Sequence, residues 1–292
     1  MEKIKISAIQ MSSKIGDKEA NTEKIRYLAE RDIEKNTDII VLPEVWTVGW
    51  SPKHFQSSAE EITSSTTIQF LSTLAAKYSS WIIGGSIIIR DGNKYYNTCP
   101  VINREGELVA VYSKNHLFSY YGCAEGDFIK HGKQPVMVNI DGVKVGLTIC
   151  YDIRFPEIYR AYRKAGADLL VNCAAWGLNK PIPWECMTRA RACENQAYMV
   201  ALTQAGYIEN DEWNIGHSRI IDYKGETISE IKEQKEGVMT AILDLAPMYD
   251  FREKCKCIDD IKEKYEVKYE ENTQLNIGDN AIRTNKCFCQ LH

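Results

Sequence analysis

The chain has 292 residues, 44% of them hydrophobic and 26% charged, with a formal net charge of −4. That is an ordinary globular composition without the basic footprint of a nucleic-acid binder, and no apolar run reaches the roughly 18 residues of a membrane span. Ten cysteines, scattered among apolar positions such as Cys99, Cys173 and Cys193, lack the spacing of a small disulfide framework, so a reduced, cytoplasmic protein is expected.

Residues 3–11 alternate as a half-buried strand does, with Ile4, Ile6 and Ala8 opposite Lys5 and Ser7, and no secretory apolar stretch opens the chain. Helical spacing follows over 17–35 (Ile25, Leu28, Ala29, Ile33), with acidic residues early, as the helix dipole favours. Residues 38–42 read as a buried strand ending in Pro43-Glu44, and 64–77 as a helix with Ile68, Leu71, Leu74 and Ala75 on one face. Strands are expected over 81–89, 95–103 and 108–113, parted by turns at Asp91-Gly92 and Arg104-Glu105-Gly106; the third ends in Lys114. A hairpin through Asp141-Gly142 joins 135–140 to 143–149, which runs into Cys150. Helix 155–165, strand 168–173, helix 183–195 and strand 198–203 come next, then strands 218–222, 227–231 and 238–244. Alternating strands and helices with interspersed hairpins predict layered α/β with mixed sheets. Beyond Arg252 apolar anchors become sparse. Residues 1–252 are therefore expected as one domain and 253–292 as an extension packing on the core or a partner subunit.

Three strand ends thus carry Glu44, Lys114 and Cys150, and α/β folds present their chemistry at the carboxyl ends of strands. An ordinary thiol is only slightly ionised near neutrality and needs a base or a positive neighbour. Glu44 is the candidate base, and Pro43 stiffens the turn that holds it. Lys114 can stabilise a thiolate and then the oxyanion of a tetrahedral intermediate, together with a backbone N–H such as that of Tyr151. Attack on an amide or nitrile carbon, loss of ammonia and thioester hydrolysis follow. Alone, Cys150 would read as an inert buried thiol, and Glu44 and Lys114 as solvated strand ends. Together they are a site, because a buried carboxylate and a buried ammonium need each other.

His116 reads as structural and not as the base of a Cys–His dyad, since no orienting Asn or Asp is evident. Arg154 reads first as a fork tying loop carboxylates such as Asp152 or Glu157, with a substrate clamp as the open alternative. Cys255-x-Cys257 and Cys287-x-Cys289 depart from the usual zinc-ligand spacing, so no metal is expected.

In this order the three motifs resemble the nitrilase, or carbon-nitrogen hydrolase, superfamily, whose triad is a Glu after a hydrophobic strand, then a Lys, then a Cys. Further segments agree. Lys114-Asn115-His116-Leu117-Phe118 leading to Glu125, Phe128 and Gly132 resembles the pattern carrying the family's second active-site glutamate, with Glu125 as its counterpart. Trp184 with 189–195, and Gly216-His217-Ser218 with Asp222 and Gly225, are similar to two later family segments. The resemblance covers the chain to about Arg252. It implies a four-layer α-β-β-α sandwich of two mixed sheets, a homodimer or higher homo-oligomer, and no metal or organic cofactor. The run 150–157 is similar to the amidase branches, those like omega-amidase above all.

Ala174-Ala175-Trp176-Gly177 places an indole where pocket walls belong, and Tyr120, Tyr121 and Cys123 lie near Glu125 in sequence. Trp176, Tyr120, Tyr151 and Glu125 are therefore expected to bind substrate in a small, partly aromatic acyl pocket. The expected function is a thiol amidohydrolase acting on a small linear carboxamide. An N-carbamoyl amide hydrolase or a nitrilase could use the same triad, and a catalytically silent binding protein is the non-enzyme alternative.

Overall fold

The computed structural model describes residues 2–120, 122, 124–209, 211–262 and 264–269, and the chain divides into the units Met1–Arg252 and Glu253–His292. The first unit opens with β1 (Lys3–Gln10), α1 (Lys18–Asp32), β2 (Ile39–Val41), α2 (Pro52–Phe55), β3 (Glu60–Glu61) and α3 (Thr66–Tyr78). There follow β4 (Trp81–Ile83), β5 (Ile87–Asp91), β6 (Lys94–Ile102), β7 (Leu108–Ser113), a one-turn α4 (Glu125–Phe128), β8 (Val136–Ile140) and β9 (Val143–Ile149). A 3-10 turn (Cys150–Arg154) leads to α5 (Pro156–Lys164), β10 (Leu169–Ala174), α6 (Pro181–Asn195) and β11 (Tyr198–Thr203). The series ends with β12 (Ala205–Tyr207), β13 (Trp213–Ile215), β14 (Ser218–Ile221), β15 (Thr227–Ile231), β16 (Gly237–Asp244) and α7 (Leu245–Lys254).

One sheet has the order β16-β1-β2-β4-β6-β5-β3, with β7 paired to β6; the other runs β15-β14-β11-β10-β9-β8. Both are mixed. Strands β1, β2 and β4 are parallel neighbours, as are β9, β10 and β11, while β16, β6, β14 and β8 join antiparallel.

Strand side chains alternate between faces, and here that alternation sorts the layers. Ile4, Ile6 and Ala8 of β1 and Ile39 and Val41 of β2 share a core with Val145, Leu147 and Ile149 of β9. Their neighbours Ile9, Ile40 and Leu42 face the other way, onto Ile25 and Leu28 of α1 and Leu71 and Leu74 of α3. On the second sheet Thr148 and Asn172 turn to the opposite side and bond the Tyr159 hydroxyl of α5. The result is the expected four-layer α-β-β-α sandwich. Helices of this length are marginal alone in water, so their buried faces hold them, helped by Asp17 and Ser65 accepting from the Ala20 and Ile68 N–H groups as N-caps.

The structure departs from the sequence expectation over 81–89. In place of one strand, β4 and β5 lie on opposite sides of β6. Gly84-Gly85 makes the break: Gly85 has φ +67°, and a Cβ there would stand 2.0 Å from the Pro43 carbonyl oxygen. The chain thereby turns directly against the segment that carries Glu44. The short elements α2, β3, α4, β12 and β13 also escaped expectation, having too few residues to show a period.

In the second unit, the described residues 255–269 form neither helix nor strand, and Cys255 and Cys257 are exposed. Cys287 and Cys289 lie outside the described residues, as do Tyr121 and Cys123. Among the described residues no helix is long and apolar enough to cross a membrane.

Candidate active site

Each reactive side chain follows a strand that backbone bonds hold to its last residue. After β2, Leu42 N–H donates to Ile83 O (3.0 Å), the Pro43 carbonyl accepts from Ser86 N–H (3.1 Å), and the Glu44 carbonyl accepts from Gln204 Nε2 (2.6 Å). Lys114 prolongs the β6–β7 pairing, its N–H donating to Asn97 O (2.8 Å) while its carbonyl accepts from Gly132 N–H (2.8 Å). Gly132 is required there, because a Cβ would lie 2.0 Å from Ser113 O. Cys150 leaves β9 with φ +44°, a left-handed conformation costing a non-glycine residue about 1–2 kcal/mol. That kink lifts its side chain off the strand line at the start of the 3-10 turn.

The three strand ends converge. Lys114 Nζ donates to Glu44 Oε1 at 2.8 Å and lies 3.0 Å from each oxygen of Glu125. All three side chains are fully buried. Asn97 Nδ2 donates to Glu44 Oε1 (2.9 Å) and reaches Glu125 Oε1 (3.5 Å). Ala175 N–H donates to Glu44 Oε2 (2.8 Å), and Phe118 N–H to Glu125 Oε2 (2.7 Å). The Cys150 thiol is close enough to Glu44 and Lys114 to feel both charges. The Trp50 ring covers the ammonium, its centroid 5.1 Å from Lys114 Nζ.

The electrostatics follow from this closure. Burial pushes the Cys150 thiol well above its ordinary range and the Glu44 carboxylate adds to that, against the opposing pull of Lys114. The sulfur therefore rests protonated beside the Glu44 carboxylate. Burial works against the Lys114 ammonium, but Glu125 and Glu44 more than reverse it and hold it well above its usual value. Burial raises the Glu125 carboxyl, Lys114 opposes the rise, and Glu44 reinforces it.

A cavity of about 370 Å³ opens above the sulfur. Cys150, Tyr151 and Trp176 line it, joined by Trp50, Phe118, Ala175, Arg154, Lys180, Ile208, Asp211, Glu212 and Trp213 among others. Glu125 is not in the wall, and neither are Glu44 and Lys114; all three are fully buried beneath it. Tyr120 is 58% exposed and stands outside the lining, packed on Phe118 and Tyr151 with ring centroids 6.0 Å away in each case. The bond from Phe118 N–H to Glu125 draws Phe118 to the cavity and leaves Tyr120 beyond it. Of the two readings of Arg154, the fork is not what the structure shows. Asp152 is held by other donors, and the guanidinium lies over the Trp176 ring at 5.3 Å and the Tyr151 ring at 5.9 Å, facing the cavity.

Sequence reasoning missed Asn97, Ala175 N–H, Trp50 and the Lys180 side of the cavity. Asn97 sits inside a strand pattern and Ala175 acts through its backbone, so neither carries a side-chain signal; Trp50, soon after Glu44, did offer one. Among the described residues no group of three or more His, Cys, Asp or Glu side chains is arranged to hold a metal ion.

With this geometry established, comparison with known proteins gives a consistent result. A family model described as carbon-nitrogen hydrolase matches residues 5–253. The chain is 34% identical to the 2-oxoglutaramate amidase of Bacillus subtilis (strain 168) over 257 residues, 88% of this chain and 97% of that protein. It is 34% identical to omega-amidase NIT2 of Danio rerio over 260 residues, 87% of this chain and 92% of that protein. The crystal structure of Saccharomyces cerevisiae Nit3, a member of branch 10 of the nitrilase superfamily, superposes with a TM-score of 0.78 at 30% identity, covering 87% of this chain and 94% of that one.

Proposed function

This chain belongs to the carbon-nitrogen hydrolase family and is a thiol amidohydrolase; we propose that Cys150 is its nucleophile, Glu44 its general base and then acid, and Lys114 its oxyanion stabiliser, oriented by Glu125. The observation that carries this assignment is the fully buried Lys114 ammonium clasped between Glu44 and Glu125, next to a cavity that Cys150 lines and with Glu44 acting on the Cys150 thiol.

In the proposed mechanism the sulfur attacks the amide carbon as its proton passes to Glu44. The C–S bond forms, and the carbonyl π pair moves to oxygen beside the Lys114 ammonium. Collapse of the intermediate breaks the C–N bond, and the leaving nitrogen takes the proton from Glu44 and departs as ammonia. Water then attacks the thioester, giving one proton to Glu44, which returns it to the sulfur as the carboxylic acid leaves. The fixed positive charge of Lys114 suits both tetrahedral intermediates without rearrangement.

The substrate class we propose is a short linear carboxamide bearing a carboxylate at its far end. Arg154 and Lys180 line the same cavity as Cys150, and a guanidinium is the side chain best shaped to meet a carboxylate. The relatives named for 2-oxoglutaramate and omega-amides support this reading over an N-carbamoyl compound or a nitrile. A reducing, cytoplasmic setting is part of the proposal, supported by the unbridged thiols of Cys99, Cys150, Cys173, Cys186 and Cys193, and so is a homodimer or larger homo-oligomer, which light scattering would measure.

Ammonia release across a panel of omega-amides, monoamides, nitriles and N-carbamoyl compounds tests the reading. The wild type should favour amides carrying a distal carboxylate, and Cys150→Ala should release none. Activity surviving in Cys150→Ala would overturn the mechanism; preference for a nitrile would overturn the substrate class.

A further inference from the structure

Two residues beyond Cys150, Asp152 is fully buried and its carboxylate is saturated with donors from two different sheets. Oδ2 accepts from the Tyr112 hydroxyl (2.6 Å) and from Ile149 N–H (2.9 Å). Oδ1 accepts from His116 N–H (3.0 Å), and His116 Nδ1 lies 2.8 Å from the same atom. Tyr112 stands two residues before Lys114 and His116 two residues after it, while Ile149 immediately precedes Cys150. One carboxylate therefore grips both flanks of the lysine from the first sheet and the approach to the cysteine from the second.

We propose that Asp152 is a positioning residue for hydrolysis, fixing the strand end that carries Lys114 against the turn that carries Cys150. This rests on the roles proposed above for those two residues. The two catalytic arms share no backbone pairing, because β7 and β9 belong to different sheets. Their mutual placement must come from side chains. Asp152 is suited to the task because it is short, buried and bonded on all sides, so it has little rotational freedom. It also braces the left-handed Cys150: Phe155 N–H closes the turn onto Asp152 O (3.1 Å), and His116 is pinned from outside by stacking on Phe155 at 3.6 Å between ring centroids. Tyr112 is locked in the same arrangement, its hydroxyl accepting from Asn115 N–H (3.3 Å) while burial and Asp152 push its ionisation well up, keeping it a donor. The carboxylate touches no reacting atom; its effect passes through where Lys114 and Cys150 stand.

Asp152→Asn tests this, because it keeps the shape but cannot accept from all four donors. Misplacing reacting groups by about 1 Å costs on the order of 10²-fold. The expected result is a kcat, per titratable Cys150, lowered about 100-fold with KM within about threefold, and slower alkylation of Cys150 by iodoacetamide followed by mass spectrometry. Tyr112→Phe leaves the charged acceptor in place and serves if Asp152→Asn does not fold; about a tenfold loss of kcat at unchanged KM is expected, with a near wild-type melting midpoint. A purely structural Asp152 would lower the folded fraction and leave kcat per titrated site and alkylation rate unchanged. That outcome in either folded variant overturns the proposal. Alkylation needs no amide substrate, so a wild type that alkylates selectively at Cys150 but hydrolyses no amide would sink the functional reading alone.

Discussion

The molecule holds charge in two ways within one site. At the floor, Glu44, Lys114 and Glu125 are fully buried and bonded to one another; around the cavity above them, Arg154, Lys180, Asp211 and Glu212 line a space that opens to solvent. Similar ions behave differently in the two settings. Unit charges about 3 Å apart interact by roughly 5 kcal/mol where the effective dielectric constant is about 20, while exposed pairs are worth about 0–1 kcal/mol. The floor is thus fixed by its own electrostatics and suited to chemistry, whereas the rim is suited to recognition. Substitutions at the floor should damage rate and stability together; substitutions at the rim should alter selectivity and little else.

The largest effect is expected for Lys114→Gln. It leaves two buried carboxylates facing each other without their cation, a change that costs about 3–5 kcal/mol of stability when a buried pair is broken. It also removes the charge proposed for the oxyanion, worth about 10²–10³ in kcat where a single stabilising donor is lost. Urea unfolding and ammonia release measure the two losses. A stable Lys114→Gln protein with wild-type kcat would erase the distinction between floor and rim.

That floor was largely legible before any coordinates, for a physical reason. Buried strands announce themselves through apolar periodicity, so their ends can be found, and Glu44, Lys114 and Cys150 each occupy one. What could not be read were contacts made by backbone or across long separations. Ala175 N–H reaches Glu44 from 131 positions away. His116 was read as having no orienting acid, yet Asp152 lies against it, 36 positions on. The rim was less legible still. Nothing in the sequence ranks Phe118 above Tyr120 as a cavity residue, since the choice depends on which way a loop turns once its backbone N–H meets Glu125. The expectation of one strand over 81–89 runs straight through Gly84-Gly85, because the break there depends on Pro43 being packed against it.

Arg154→Gln should give the intermediate effect and sharpen the contrast. A charge-assisted pair with a substrate carboxylate contributes about 1.5–3 kcal/mol, so KM for an amide with a distal carboxylate should rise about 10- to 100-fold. Monoamides without that carboxylate should be hydrolysed about as before, and the melting midpoint should barely move, because the guanidinium rests on the Trp176 and Tyr151 rings and not in an ion pair of the core. Equal losses on charged and neutral amides would assign Arg154 to the fold in place of recognition.

The smallest effect belongs to the outer rim. Glu209 accepts from Lys53 Nζ at 2.7 Å and from the buried Ser51 hydroxyl at 2.9 Å, joining the loop after Trp50 to the hairpin that brings Trp213 to the cavity. Lys53 lowers the Glu209 carboxyl below its usual range, yet both partners are substantially solvated, so salt screens the pair. Glu209→Gln keeps an acceptor for Ser51 and loses only the ionic part, which in exposed pairs amounts to less than about 1 kcal/mol. Its unfolding midpoint should shift slightly at low ionic strength and converge with wild type in molar salt, with KM changed less than about twofold. Were Glu209→Gln to cost as much as Lys114→Gln, exposure would not be what separates the two kinds of charge, and the hairpin would have to be counted with the floor.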